Sequence, residues 1–344
     1  MMLRPLERRP DFRQLLKVLH KEAADRPVLF ELFVCDEILE QVTEASLKGR
    51  SRLERDCMTV QTYDRLGYDY ALVMASEMKF QSGKTNAKAS YSLNDGAVIH
   101  DRDTFDRYPW PDARDYDYRY LNTLKDQMPP GMGLLVWAND GPLESVIRLV
   151  GYENLCYMLY DDETLLADIF EQVGARIYAD YRHAMATSSV DGLVVGDDWG
   201  FNTQTMLPVD IYRKYLFPWH QKIVALAHET GRPAILHSCG RYDMVLVDII
   251  ETIGYDARHS YEDNIIPVEQ AYEQLYPKLA VLGGIDVNFL ATASLEEITQ
   301  RAKGLLQQTM ARGGYALGSG NSIPSYIPAP NYYAMLKTAF ASDL

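Results

Sequence analysis

The chain has 344 residues, 47% of them apolar and 24% charged, and a formal net charge of −14. That length and composition suit one large domain with a sizeable core, and the acidic balance argues against nucleic acid or an anionic membrane surface as a partner. No apolar run reaches the roughly 18 residues of a membrane span, the basic stretch 1–14 lacks the apolar segment of a signal peptide, and four cysteines, Cys35, Cys57, Cys156 and Cys239, read as free thiols in a reducing cytoplasm.

Taken in chain order, short apolar runs predict strands at 28–34, 68–76, 132–139, 192–198, 234–239, 257–262, 280–286 and 315–321. Their lack of strict alternation suits parallel strands covered on both faces. After the second strand, 79–127 is too long for a simple loop. Asp95-Gly96 there, between two short runs, predicts a hairpin, and the segment reads either as a flap over the barrel mouth or as a surface excursion. Helical patterns fill the later crossovers. Leu165, Ile169, Val173 and Ile177 recur at helical spacing, and 211–228 follows Pro208 and precedes Gly231. Helices are also expected over 244–253 and 268–275. Ser294 and Glu297 form a capping-box pattern, and 331–340 closes the chain. Strands alternating with helices in this way predict an α/β fold, a (β/α)8 TIM barrel, as a single domain over 1–344.

Such barrels carry their chemistry at the C-terminal ends of the strands. His237 and Cys239 are two apart on a predicted strand, so they share a face. An imidazole and a thiolate there suit zinc, but a bare His-x-Cys reads more simply as a packed histidine and a buried thiol. Asp197 and Asp198 end the fourth strand beside Trp199. They read as a base, a substrate anchor or a metal ligand, with a loop cap as the bland alternative. Asp197 is in phase with Val195, which predicts that it faces inward and its neighbour outward. Glu31, Asp286 and Asn321 end three further strands, and Trp137, Trp199 and Tyr261 are placed to shape an apolar pocket. The glycine-rich 318–322 stretch is a weak candidate for phosphate binding.

Taken together, Gly196-Asp197-Asp198-Trp199-Gly200, Leu236-His237-Ser238-Cys239-Gly240, Gly283-Gly284-Ile285-Asp286, Gly313-Gly314-Tyr315 and Ile327-Pro328-Ala329-Pro330-Asn331 resemble the uroporphyrinogen decarboxylase superfamily, over about 190–340, and most of all its branch of corrinoid-linked methyltransferases. The resemblance implies a methyltransferase acting between a small methylated compound and a corrinoid protein or a thiol. Members of that branch hold zinc with His-x-Cys and a later Cys. His237 and Cys239 match the first two positions, whereas Asn321 stands at the third. A carboxylate such as Asp197, Glu31 or Asp286 then completes the site, or no metal is held. In this reading Asp197, Asp198, His237 and Asn321 are the catalytic set, and Glu31, Trp137, Trp199, Tyr261 and Asp286 line the substrate pocket.

The arginine-rich N-terminal motif of true uroporphyrinogen decarboxylases is replaced here by 26–33, which brings Glu31. An acidic mouth suits a polycarboxylate badly, so uncharged or cationic substrates are expected. The alternatives are a metal-independent decarboxylase of a small acid, which needs positive charge in the pocket, and a binding protein that has lost catalysis.

Overall fold

The computed structural model describes residues 5–83, 92–138 and 140–341. Seven parallel strands follow one another around the sheet in chain order. They are β1 (Tyr70–Met74), β2 (Gly133–Trp137), β3 (Gly192–Gly196), β4 (Ala234–His237), β5 (Ala257–His259), β6 (Ala280–Leu282) and β7 (Tyr315–Ala316). From β2 to β7 every strand residue is buried, as expected for a parallel sheet whose interior is packed and whose outside is covered by helices.

The strands are shorter than the apolar runs that announced them. Residues 197–198, 238–239 and 283–286 lie past the regular strands and bend into the site-forming loops, with one remaining parallel bridge from Ile285 to Ser319. Asn139, placed at the end of the third run, lies outside the described residues.

The eighth stave is 28–34, and it completes the TIM barrel without forming a regular strand. Its backbone pairs with the chain of β7 and beyond. Phe30 N donates to the Leu317 carbonyl and Leu317 N to that of Val28, both at 2.8 Å, and single parallel bridges join Leu29 to Leu317 and Val34 to Ile323. On the β1 side a side chain takes the place of the ladder. The Tyr70 hydroxyl accepts from Glu31 N at 2.7 Å and donates to the Glu31 carbonyl at 2.5 Å. A phenol wedged between two staves holds their backbones apart, which is why the expected first strand is a bridged segment.

Helices occupy the crossovers. Glu163–Met185 buries Leu165, Ile169, Val173 and Ile177 on one face. Leu295–Thr309 begins at the Ser294/Glu297 capping box, and Val268–Leu275 covers β6. The 211–228 pattern is part of a longer helical stretch that starts at Val209 behind Pro208. In the insertion, residues 93–96 form a turn, and Ser90 and Tyr91 of the expected first arm lie outside the described residues. After the turn, Val98 N and Ile99 N donate to the Leu149 carbonyl at 2.8 and 2.9 Å. Leu149 lies in the last turn of the Pro142–Val150 helix, where carbonyls lack helical partners.

The rest of the insertion runs down the flank of the barrel on Glu163–Met185. Arg102 pairs with Asp168, Arg176 stacks on Trp110, and the Tyr118 hydroxyl donates to Asp180. Among the described residues no helix is long and apolar enough to cross a membrane.

The closing seam leaves no room for a side chain at Gly318, where a Cβ would run into the Phe30 carbonyl oxygen. Because that oxygen belongs to backbone already tied to β7, it cannot swing aside. Gly318→Ala is expected to lower the unfolding free energy by about 1–3 kcal/mol, as overpacking does. Urea unfolding followed by circular dichroism measures this, and an unchanged midpoint would show that the seam gives way freely.

Candidate active site

At the end of β4 the His237 imidazole Nε2 stands 3.6 Å from Cys239 Sγ. Asp198, two residues past the end of β3, accepts from Cys239 N at 2.8 Å. One ligand atom each from Asp198, His237 and Cys239 lies within 4.8 Å of the others. Zinc bond lengths of about 2.0–2.3 Å put tetrahedral ligand atoms roughly 3.5 Å apart. The nitrogen, sulfur and oxygen donors here suit zinc in kind and nearly in spacing, with a fourth position left for a substrate.

The two adjacent aspartates face opposite ways to the expectation. Asp197 is fully buried and turns outward, into the helix layer. Its carboxylate accepts from Leu143 N at 3.2 Å and Glu144 N at 3.0 Å, from the Trp199 indole at 2.9 Å, and lies 3.0 Å from His220 Nε2. The Pro142–Val150 helix starts at Gly141, which offers no side-chain cap, and a Cβ there would collide with Asp197. Asp197 thus caps a helix from a neighbouring strand end, where the orphan N–H groups and the helix dipole favour a carboxylate. With β3 ending at Gly196, the alternation that placed Asp197 inward no longer applies, and Asp198 is the acid that meets Cys239.

Glu31 and Asp286, the other acids considered as metal ligands, are also engaged elsewhere. Glu31 is buried inside the barrel, with Ser319 Oγ 2.6 Å from its Oε1 and Ser319 N 3.3 Å from its Oε2. Burial pushes its carboxyl up to about 8, against the hydrogen bonds from Ser319 and Leu32. Asp286 caps the Val287–Thr292 helix through Phe289 N and also accepts from Asp263 N, both at 3.0 Å.

Asn321 does reach the site, as a hydrogen-bond donor. Its Oδ1 accepts from Ser322 N at 2.8 Å, which turns its Nδ2 toward Cys239 Sγ at 3.2 Å. Trp137 forms a wall of the site, its ring 5.5 Å from that of His237 and 5.4 Å from Phe33. Trp199 does not line a pocket: it is fully buried behind β3 against Phe217, His220 and Tyr242. Tyr261 packs on Arg258 and donates its hydroxyl to the Arg258 carbonyl, so only part of it reaches the cleft. That cleft, of about 830 Å³, opens beside Asn321 and includes Glu262, Asp286, Phe289 and Tyr326; its lining contains no Lys or Arg.

Negative charge accumulates around the cluster. Burial and then Asp198 push the Cys239 thiol well up. Burial raises Asp198, and Glu144 is pushed well above its usual range by burial, then by Asp198, Asp197 and Asp140. A dication among such groups reverses the balance, because it favours each ionised form.

Behind His237 stands His259 on β5, with the two Nδ1 atoms 2.8 Å apart, and His259 Nε2 lies 3.1 Å from the Ser319 carbonyl. Burial pushes His259 down to about 4 and His237 well down. Nothing in the sequence marks Glu144, His220 or His259 for this site. The pairing of His237 with His259 is a matter of strand register, and Glu144 looks like any acid in a first helical turn.

Two predictions follow from these environments. Asp197→Ala leaves buried N–H donors without an acceptor and is expected to destabilise the fold by about 3–5 kcal/mol, whereas Asp198→Ala changes it by about 1 kcal/mol. Denaturant unfolding of the two variants tests the contrast, and equal losses would contradict it. Glu31 is protonated in the folded state up to about 8 but has an ordinary value of 4.5. Its contribution is full below the ordinary value and is lost as pH rises toward 8, by up to about 1.4 kcal/mol per pH unit. Glu31→Gln is expected to gain stability relative to the parent across that window and no further above it. A pH-independent difference would refute the assignment.

A sequence model of the uroporphyrinogen decarboxylase (URO-D) family matches residues 13–341. The uroporphyrinogen decarboxylase of Koribacter versatilis (strain Ellin345) is 26% identical over 167 residues, 47% of this chain and 44% of that one. That of Bacillus cereus (strain B4264) is 28% identical over 146 residues, 42% of this chain and 38% of that one. The chain thus matches less than half the length of these curated relatives. A methyltransferase from Methanosarcina mazei superposes with a TM-score of 0.69 at 17% identity, covering 95% of this chain and 97% of that one. A B12-independent methionine synthase from Shewanella sp. W3-18-1, in complex with selenomethionine, gives 0.52 at 11% identity, covering 98% and 97%. At these identities the structural likenesses speak for a common barrel, while the sequence match runs almost from end to end: the chain belongs to the uroporphyrinogen decarboxylase family.

Proposed function

We propose that this chain is a methyltransferase that moves a methyl group between a small methylated substrate and a corrinoid protein or thiol acceptor, with zinc held by His237, Cys239 and Asp198. The observation that carries the reading is the convergence of those three side chains at the strand ends, with Asn321 beside them as a donor to sulfur. Zinc, when bound, supplies Lewis acidity toward the substrate heteroatom from which the methyl departs.

The chain's own residues do the remaining work. Cys239 and Asp198 would supply anionic ligands once a dication favours their ionised forms, and Asn321 Nδ2 holds the sulfur in place. Trp137 and Phe33 provide an apolar wall that keeps water from one side of His237. The cleft meets the site at Asn321. Its acidic lining disfavours a polycarboxylate, since a carboxylate beside uncompensated carboxylates is costly to desolvate. The same lack of Lys and Arg in the lining argues against the decarboxylase alternative, which needs a cation for its substrate's carboxylate.

Protein purified without chelator is expected to hold about one equivalent of zinc and to lose it on Cys239→Ala or Asp198→Ala. It should demethylate methylcobalamin in the presence of small thiols, or methylate reduced cobalamin from uncharged or cationic methyl donors. Uroporphyrinogen should pass unchanged. Less than about a tenth of an equivalent of zinc together with no methyl transfer, or formation of coproporphyrinogen at an enzymatic rate, would overturn the proposal.

A further inference from the structure

The hydrogen-bond partners of His259 dictate where the protons of two neighbouring imidazoles sit. A carbonyl oxygen has no hydrogen to give, so at the 3.1 Å contact between His259 Nε2 and the Ser319 carbonyl the ring must donate. A neutral imidazole carries one N–H, so His259 Nδ1 is an acceptor. His237 Nδ1, 2.8 Å away, must then be the donor. Its one proton is thereby placed, and the lone pair of His237 is left on Nε2, the atom that faces Cys239 Sγ at 3.6 Å.

The surroundings of His259 favour its neutral form. The ring is fully buried, packed on Phe30, and Arg258 precedes it in the chain. The nearest acid along the hydrogen-bonded path is Glu31, reached through Ser319. Ser319 Oγ lies 2.9 Å from the Asn321 carbonyl, which only accepts, and 2.6 Å from Glu31 Oε1. A Ser319 hydroxyl that donates to Asn321 leaves its oxygen to accept from a protonated Glu31, in keeping with the burial that pushes this carboxyl up to about 8. It is then an uncharged acid that offers no counter-ion to an imidazolium.

We infer that His259 is a positioning residue, which through the Ser319 carbonyl holds His237 in the Nδ1–H tautomer and so presents a bare Nε2 toward Cys239 and Asp198 before any metal arrives. The use made of that lone pair rests on the proposed zinc site; the tautomer does not. Metal-bound histidines commonly donate their second nitrogen to a carboxylate or carbonyl. Here a second imidazole, itself oriented by backbone, takes that place.

Histidine-selective ¹⁵N labelling of the full chain, freed of metal, tests the inference through long-range proton–nitrogen correlations, with His237→Gln identifying the His237 signals. The expected spectrum has Nδ1 of His237 protonated and Nε2 bare. His259→Phe, which removes the acceptor, should mix the two tautomers and weaken zinc binding by about 10- to 100-fold in competition with a chromophoric chelator. His259→Asn, whose Oδ1 stands near the place of the lost Nδ1, should restore the tautomer and most of the affinity. A protonated Nε2 on His237 in the parent protein, or a tautomer unmoved by His259→Phe, would overturn the inference. A parent protein that shows the expected tautomer but binds no zinc would support it and would sink the metal reading of the site instead.

Discussion

Between residues 28–34 and the chain of β7 the backbone approach is so close that Gly318 has no space for a Cβ against the Phe30 carbonyl. The site depends on this seam. His237 and Cys239 come from the end of β4, Asp198 from the end of β3, His259 from β5, and Ser319 and Asn321 from beyond β7. Only a sheet curved until its last stave meets its first brings Asn321 to the sulfur of Cys239. The seam also encloses Glu31, whose neutral carboxyl is tied to Ser319. The residue that helps to close the barrel is therefore also part of the polar chain that ends at His237.

Buried charge is handled by a division of labour between two adjacent aspartates. Asp197 is surrounded by donors, from a helix start, an indole and an imidazole, and serves the architecture. Asp198 has a single backbone donor and a thiol for a neighbour, and serves the cavity. Bare carboxylates next to a thiol are a poor arrangement for an apolar core and a good one for a dication. The acids around the mouth are consistent with that division. Asp140 is held by Arg148 and Asp286 by its helix, while Glu144 adds to the negative potential near Asp198.

Composition, apolar runs and turn residues were enough to determine an α/β barrel of repeated strand–helix units, since burial on both faces and helical periodicity are local properties of the chain. The capping box at Ser294, the buried face of Glu163–Met185 and the His-x-Cys pair at the end of β4 were legible for the same reason. What tertiary structure alone decided lies where the local rules stop. Residue alternation foretold Asp197 inward and Asp198 outward, but alternation ends with the strand, and the pull of a helix terminus and His220 reversed the pair. The Asp-Gly turn in the insertion was readable, whereas the hold of the Leu149 carbonyl, distant in sequence, on the segment after it was not. Trp199 looked like a pocket wall, but packing behind the sheet took it, whereas Tyr261 lines the cleft. His259 carried no motif at all. Its meaning comes from strand register and from one carbonyl oxygen, and a hydrogen bond between residues far apart in the chain exists only once the fold has set both in place.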